Sequence, residues 1–202
     1  LGEYTALVCA GALPLDAAAG LVRERGRLMQ AAVPEGVGAM AAVLGADDAL
    51  IAQACAEVAG GEIVAPANFN SPGQTVIAGH AAAVDRALAR LAELGVRKAL
   101  KLPVSVPSHT ALMRAAADQL AMHMAGLAWS MPRIAVIQNA DARSFDDVDA
   151  IRAALARQLH LPVRWSDCVR ELQARGATAL AECGPGKVLC GLARRIDKAL
   201  DC

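Results

Sequence analysis

The 202-residue sequence predicts an α/β fold in which a compact β-α-β-β-α-β unit interrupts a helix-rich body. Three observations predict it. Hydrophobic residues make up 55% of the chain, largely Ala, Leu and Val, and only five residues are aromatic, a composition that favours helices packed closely on a sheet over an all-β sandwich. Amphipathic runs of helical spacing alternate with short apolar runs of strand length. That alternation is densest between Ala39 and Leu102.

In chain order, Leu1–Ala10 has a helical pattern that Gly11 stops as a C′ residue. Pro14 suits a first helical position, and the helix it opens runs to about Ala32, before Pro34, Gly36 and Gly38 break the chain. Ala39–Leu44 reads as a strand, followed by a helix from Asp47, a good N-cap, to Ala59. Ile63–Phe69 and Gln74–Ala78 flank the turn sequence Asn70-Ser71-Pro72-Gly73 and predict a hairpin. A helix over Ala81–Leu94 stops at Gly95, and Val96–Leu102 is a further strand. This order is that of a ferredoxin-like unit, so residues 37–102 are read as an inserted subdomain and residues 1–36 and 103–202 as the body. In the body, Pro103 and Pro107 bracket a loop ending at Ser108-His109, and Thr110–Met124 is a helix. Ile134–Gln138 reads as a buried strand, and Asp147–Leu159 and Trp165–Arg175 as two helices. Ala179–Glu182 is read as a short strand feeding Gly184-Pro185-Gly186-Lys187, which opens the last helix.

Twenty basic and twenty acidic residues cancel, which argues against a nucleic-acid or polybasic membrane partner. No apolar run reaches the length of a membrane span, and no signal peptide is visible. The six cysteines (Cys9, Cys55, Cys168, Cys183, Cys190 and Cys202) form no C-x-x-C pair and mostly sit in apolar stretches, so they are expected to be reduced, buried thiols of a cytoplasmic protein. The four histidines show no metal-ligand spacing, and no metal site is expected.

Arg25 is the most informative residue. Leu15, Ala18, Val22, Met29 and Ala32 recur at steps that define one helix face, and Arg25 falls in that stripe while Arg23 and Arg27 point away. A guanidinium on an apolar face needs a carboxylate or phosphate: a core Glu or Asp, a ligand, or a route by which the head reaches the surface. His109 lies between a proline-containing loop and a helix start, a place that keeps imidazole neutral and able to accept a proton, as it also suits a packing or capping histidine. Ser108 beside it is a candidate N-cap or substrate contact. Gly184-Pro185-Gly186-Lys187 lacks the spacing and the Ser/Thr of a phosphate loop and reads as a tight turn.

Leu1-Gly2-Glu3-Tyr4-Thr5-Ala6-Leu7 resembles the tail of the G-H-S-L-G-E-Y motif of malonyl-CoA:acyl-carrier-protein acyltransferases, a version of the nucleophile elbow. Four further stretches are similar to the same family in the same order: Met29–Gly36, Asn68–Gln74, Pro103–His109 and Gly184–Leu189. The resemblance covers essentially the whole chain. It implies an α/β-hydrolase-like acyltransferase body carrying the ferredoxin-like insert, with the nucleophilic serine immediately before Leu1 and therefore absent from this sequence. It further implies that His109 is the general base and that the backbone carbonyl of Gln158 orients it. Arg25 would hold the free carboxylate of the malonyl group, the N–H of Leu1 would donate to the oxyanion, and Ser108 and Asn70 would lie near the acyl group. Malonyl-CoA is then a substrate, no cofactor is used, and acyl carrier protein is the acceptor for a monomeric enzyme of fatty-acid synthesis. The rival expectations are an acyltransferase domain of a polyketide or multifunctional fatty-acid synthase and a non-catalytic carrier-binding module. Arg97, Lys98 and Lys101, and Arg194, Arg195 and Lys198, are two basic clusters suited to an acidic carrier or to ordinary solvation.

Overall fold

Two kinds of apolar periodicity build two main cores in the computed structural model, which describes residues 1–202. The elements are α1 (Gly2–Cys9), α2 (Leu15–Ala32), β1 (Gly38–Leu44), α3 (Asp48–Val58), β2 (Val64–Ser71), β3 (Gln74–His80), α4 (Ala81–Glu93), β4 (Lys98–Lys101), a short 3₁₀ turn (Ala111–Met113), α5 (Arg114–Ala125), α6 (Val148–Gln158), α7 (Trp165–Ala174) and α8 (Val188–Ile196). The fold is mixed α/β. The larger core joins α1, α2, α5 and α6 through Tyr4, Leu7, Leu21, Leu28, Leu120 and Leu155. The face that α2 buries is Ala18, Leu21, Leu28 and Met29, whereas Leu15 is 72% exposed. The stripe read from the sequence is thus rotated by about one residue at its start, and Arg25 still lies on it.

The second core has period two on the strands and period 3.6 on the helices. Ala39, Ala41 and Val43 of β1 face Ile51, Ala54 and Cys55 of α3 and Ala83, Val84, Ala87 and Leu91 of α4. Met40 of β1 points the other way and meets Ala67, Val76 and Ala78. The sheet has the order β2-β3-β1-β4 with every pair antiparallel. Its hairpin closes on Pro72-Gly73 alone, with Gly73 at φ +70°, so Asn70 and Ser71 belong to β2 rather than to the turn. Asp47 occupies the N-cap of α3 without a side-chain capping bond, while Asp147 caps α6 by accepting from the Ala150 amide at 2.8 Å.

Two of the contacts between the two parts bear on the site. Val163, beyond α6, bonds to β2 through its carbonyl (Phe69 N–H, 2.8 Å) and its amide (Ala67 carbonyl, 2.9 Å). At the entry to β1, a Cβ on Gly38 would stand 2.4 Å from Pro107 Cδ and from the Ser105 carbonyl oxygen, so only glycine lets the strand pass the loop that leads to His109.

Three expectations are corrected. Ile134–Gln138 and Ala179–Glu182 are not strands: Gln138 and Ala179 each make one isolated bridge, to Arg143 and Asp201. Within these 202 residues neither segment has a neighbouring strand to complete a ladder, and a strand does not persist alone. The helix expected from Thr110 begins as the 3₁₀ turn, α5 proper starting at Arg114. The cysteines are not uniformly reduced and buried: Cys190 and Cys202 form a disulfide across 12 residues, and Cys9 and Cys183 are exposed, leaving Cys55 and Cys168 as buried thiols.

Candidate active site

α6 ends with carbonyls that have no partner inside the helix, and His109 takes two of them. Its backbone N–H donates to the Leu159 carbonyl at 2.9 Å, and its Nδ1 lies 2.6 Å from the Gln158 carbonyl oxygen. A carbonyl only accepts, so in the neutral ring Nδ1 carries the proton and Nε2 keeps its lone pair free. The residue sits at φ +63°, a left-handed conformation that a non-glycine residue adopts only when its surroundings impose it. Thr110 fixes the approach by donating its hydroxyl to the Pro107 carbonyl at 2.8 Å. Desolvation lowers the imidazole pKa from 6.5 to about 4; the Gln158 carbonyl opposes this and the Arg25 charge adds to it. The ring is therefore neutral at physiological pH.

Gln158, buried to 1%, is the centre of the site. Its backbone carbonyl holds His109, and its side-chain Oε1 accepts from an Arg25 Nη at 3.3 Å. Arg25 has no carboxylate in ion-pair range, its Nε is buried without a partner, and its guanidinium carbon lies 6.0 Å from the centre of the Tyr4 ring. None of the Glu or Asp side chains in these 202 residues is therefore its partner.

Sequence reasoning missed a layer beneath. Glu3, 6% exposed on the buried face of α1, accepts at one carboxylate oxygen from the Asn139 amide (3.0 Å) and from Gln158 Nε2 (3.0 Å). Gln158 Nε2 also donates to Asn139 Oδ1 at 3.1 Å. Burial raises the Glu3 pKa, those hydrogen bonds opposing it, and burial raises the Tyr4 phenol to about 12. The signal for Glu3 was available, since it precedes Leu7 by one helical step on an apolar face, as Arg25 does on α2. Asn139 carried no such signal.

The remaining candidates stand differently. Ser108 caps nothing: its hydroxyl reaches only the Val106 carbonyl, at 3.5 Å, and Thr110 holds the N-cap of the 3₁₀ turn instead. Asn70 lies on β2 and makes no side-chain hydrogen bond, so it does not join the network. Gly184–Lys187 forms the turn that opens α8, with Gly186 at φ +97°. No three His, Cys, Asp or Glu side chains converge as metal ligands. Chemically, the arrangement pairs a neutral imidazole whose Nε2 is open with a part-buried cation, both fixed by one glutamine.

The family described as acyl transferase domain matches residues 1–198. A malonyl CoA-acyl carrier protein transacylase of Escherichia coli (strain K12) is 55% identical over 196 residues, 97% of this chain and 63% of its own length. That of Haemophilus influenzae is 53% identical over the same shares. The crystal structure of malonyl-CoA:acyl carrier protein transacylase from Xanthomonas oryzae pv. oryzae superposes with a TM-score of 0.98 at 66% identity, over 99% of this chain and 64% of that one. A chain of a structure described as a type II PKS acyl-carrier protein in complex with its malonyl-transacylase matches at a TM-score of 0.97 and 50% identity, over 98% of this chain and 64% of that one. The chain thus spans a little under two thirds of the relatives' length.

Proposed function

We infer the function from the premise that this chain belongs to the acyl transferase domain family, and propose that the protein transfers malonyl from malonyl-CoA to the phosphopantetheine thiol of acyl carrier protein in fatty-acid biosynthesis. The observation that carries the proposal is Arg25: a part-buried guanidinium with no carboxylate partner among these residues, held by the same glutamine that orients His109. A substrate bearing a free carboxylate on its acyl group supplies the missing anion, and a bidentate pair distinguishes malonyl from acetyl.

In this reading the full-length protein has a serine immediately before Leu1, as the resemblance of Leu1-Gly2-Glu3-Tyr4 to the nucleophile elbow implies. His109 Nε2 takes the serine proton as the oxygen attacks the thioester carbonyl. The N–H of Leu1, at the start of α1, donates to the oxyanion. The C–S bond breaks, coenzyme A leaves as the thiol with the proton returned from His109, and malonyl remains as a serine ester. The carrier thiol then gives its proton to His109, attacks the ester and restores the serine. No cofactor enters the proposed cycle. Ser108 is proposed to flank the acyl group beside His109, and Asn70 to approach it from β2.

The carrier protein as acceptor is supported by the solved relative described as a complex of a malonyl-transacylase with its acyl-carrier protein. We further read residues 37–102 as a ferredoxin-like insert, supported by the β2-β3-β1-β4 antiparallel order, within an α/β-hydrolase-like body formed by residues 1–36 and 103–202. The enzyme is proposed to act as a cytoplasmic monomer; no helix is long and apolar enough to cross a membrane. Incubating full-length protein with malonyl-CoA and recording intact mass tests the proposal. The expected result is one added malonyl group on the residue before Leu1, removed by acyl carrier protein. No gain in mass, in protein shown to contain that serine, sinks it and leaves the non-catalytic binding module.

A further inference from the structure

We propose that Glu3 is a positioning residue for substrate selection: its buried carboxylate fixes the orientation of the Gln158 side-chain amide, so that Oε1 rather than Nε2 faces Arg25. The inference rests on the malonyl-transfer reading and assigns a role to a residue that touches neither the acyl group nor the reacting atoms.

The geometry argues for it directly. Gln158 Nε2 has two protons, and both are taken, by a Glu3 oxygen at 3.0 Å and by Asn139 Oδ1 at 3.1 Å. The Glu3 carboxylate accepts only, so it cannot satisfy a flipped amide. Asn139 is held to the same carboxylate through its backbone N–H at 3.0 Å, so Glu3 aligns both partners of the amide nitrogen. A flip would set Oε1 against two acceptor oxygens and turn the amide protons toward a guanidinium. In the observed orientation Oε1 is left for one acceptance, from Arg25 at 3.3 Å. That bond holds one Nη in place, while the fork of the guanidinium remains available for a bidentate carboxylate. The network also spans the elements that carry the chemistry: Glu3 lies in the first turn of α1, Gln158 closes α6, and Arg25 is in mid α2. Since His109 is held by the Gln158 backbone and Arg25 by its side chain, a change at Glu3 reaches the acyl carboxylate and leaves the general base in place.

The test uses full-length protein, with malonyl-CoA and acetyl-CoA as competing donors and acyl-enzyme mass as the readout. Glu3→Gln keeps the shape but presents a donor as well as an acceptor, which allows the Gln158 amide to flip. The expected result is a fall of about tenfold or more in the malonyl-over-acetyl ratio, the worth of one misplaced hydrogen bond to a charged group, expressed in KM for malonyl-CoA more than in kcat. In a Gln158→Ala background the same substitution leaves the ratio unchanged, because the amide through which Glu3 acts is gone. Equal losses with both donors, or an undiminished effect in the Gln158→Ala background, would show a merely structural role and overturn the proposal. If Glu3→Gln does not fold, Asn139→Ala removes the other acceptor; a smaller shift of the ratio in the same direction is expected, and an unchanged ratio in folded protein overturns the idea. A wild-type enzyme that takes no malonyl overturns the functional reading itself, an outcome visible before any variant is made.

Discussion

Arg25 and Glu3 are opposite charges set on apolar helix faces, and their different surroundings assign them different work. Glu3 takes two neutral donors at one oxygen, its other oxygen being buried without a partner, and so serves the interior, whereas Arg25 has only a glutamine oxygen and an aromatic face, which suits a cation awaiting an anion. Arg25→Ala is accordingly expected to lower kcat/KM for malonyl-CoA about a hundredfold, the scale of a desolvated bidentate ion pair, while acetyl transfer falls far less. An unchanged malonyl preference in a competition assay would remove Arg25 from the substrate site. His109 gives a pH signature. Its folded pKa of about 4 lies below the ordinary 6.5, so between those values the unfolded chain binds more protons than the folded one. Stability from this group is therefore full above pH 6.5 and is lost as pH falls toward 4. Glu3, raised by burial, slopes the opposite way, so the informative quantity is the difference between wild type and His109→Gln. Urea titrations across that range should show the variant losing less stability on acidification; parallel curves would mean that His109 is not desolvated.

The elements show where reading the sequence succeeds and where it fails. Helices with a sustained apolar face were legible: α2 ends at Ala32, where Pro34, Gly36 and Gly38 stop it, and α6 is capped by Asp147 as its residue type suggests. The β-α-β-β-α-β order was legible because periods of two and 3.6 alternate cleanly there. Ile134–Gln138 and Ala179–Glu182 failed because a strand is a property of a pair, and an apolar run carries no information about its neighbour. The Cys190–Cys202 bond was invisible for the same reason, since spacing does not reveal which thiols converge. It yields a direct test: alkylation without reductant, followed by peptide mapping, should label Cys9 and Cys183 in folded protein, add Cys55 and Cys168 on unfolding, and leave Cys190 and Cys202 unlabelled until reduction. Labelling of Cys190 before reduction would restore the reduced thiols that composition suggests. Close contacts between elements were equally hidden. Gly38 looked like a chain breaker, yet it is the point where β1 passes the Ser105–Pro107 loop. Gly38→Ala is expected to cost about 1–3 kcal/mol of stability through overpacking and to slow acyl-enzyme formation by displacing His109. KM for malonyl-CoA should change little, because Arg25 stands on α2. A fully active variant of undiminished melting temperature would mean that the loop yields without moving the histidine.

At the scale of the whole molecule, zero net charge conceals an uneven surface, and the structure separates the two basic clusters that composition could not. Lys98 and Lys101 lie on β4, an edge strand of the sheet, where exposed lysines guard unpaired backbone against pairing with another chain, and Lys101 is ion-paired to Asp85 at 2.6 Å. That cluster has a sufficient structural reason. Arg194 and Arg195, in the last turn of α8, and Lys198 just beyond it are exposed and have no carboxylate partner; Arg194 reaches the Cys202 carbonyl and Arg195 the Gln74 side chain. Their charges remain available to an acidic carrier protein, whose encounter would be steered by long-range attraction. The double change Arg194→Glu with Arg195→Glu is therefore expected to raise KM for acyl carrier protein about tenfold at low salt and progressively less as added salt screens the interaction. KM for malonyl-CoA should hold, since the donor half-reaction precedes docking. Reversal at Arg97 and Lys98 should leave both constants near wild type. The opposite pattern would transfer the docking face to the β4 edge, and no change at either cluster would mean that the carrier is recognised by shape and by its phosphopantetheine arm rather than by charge.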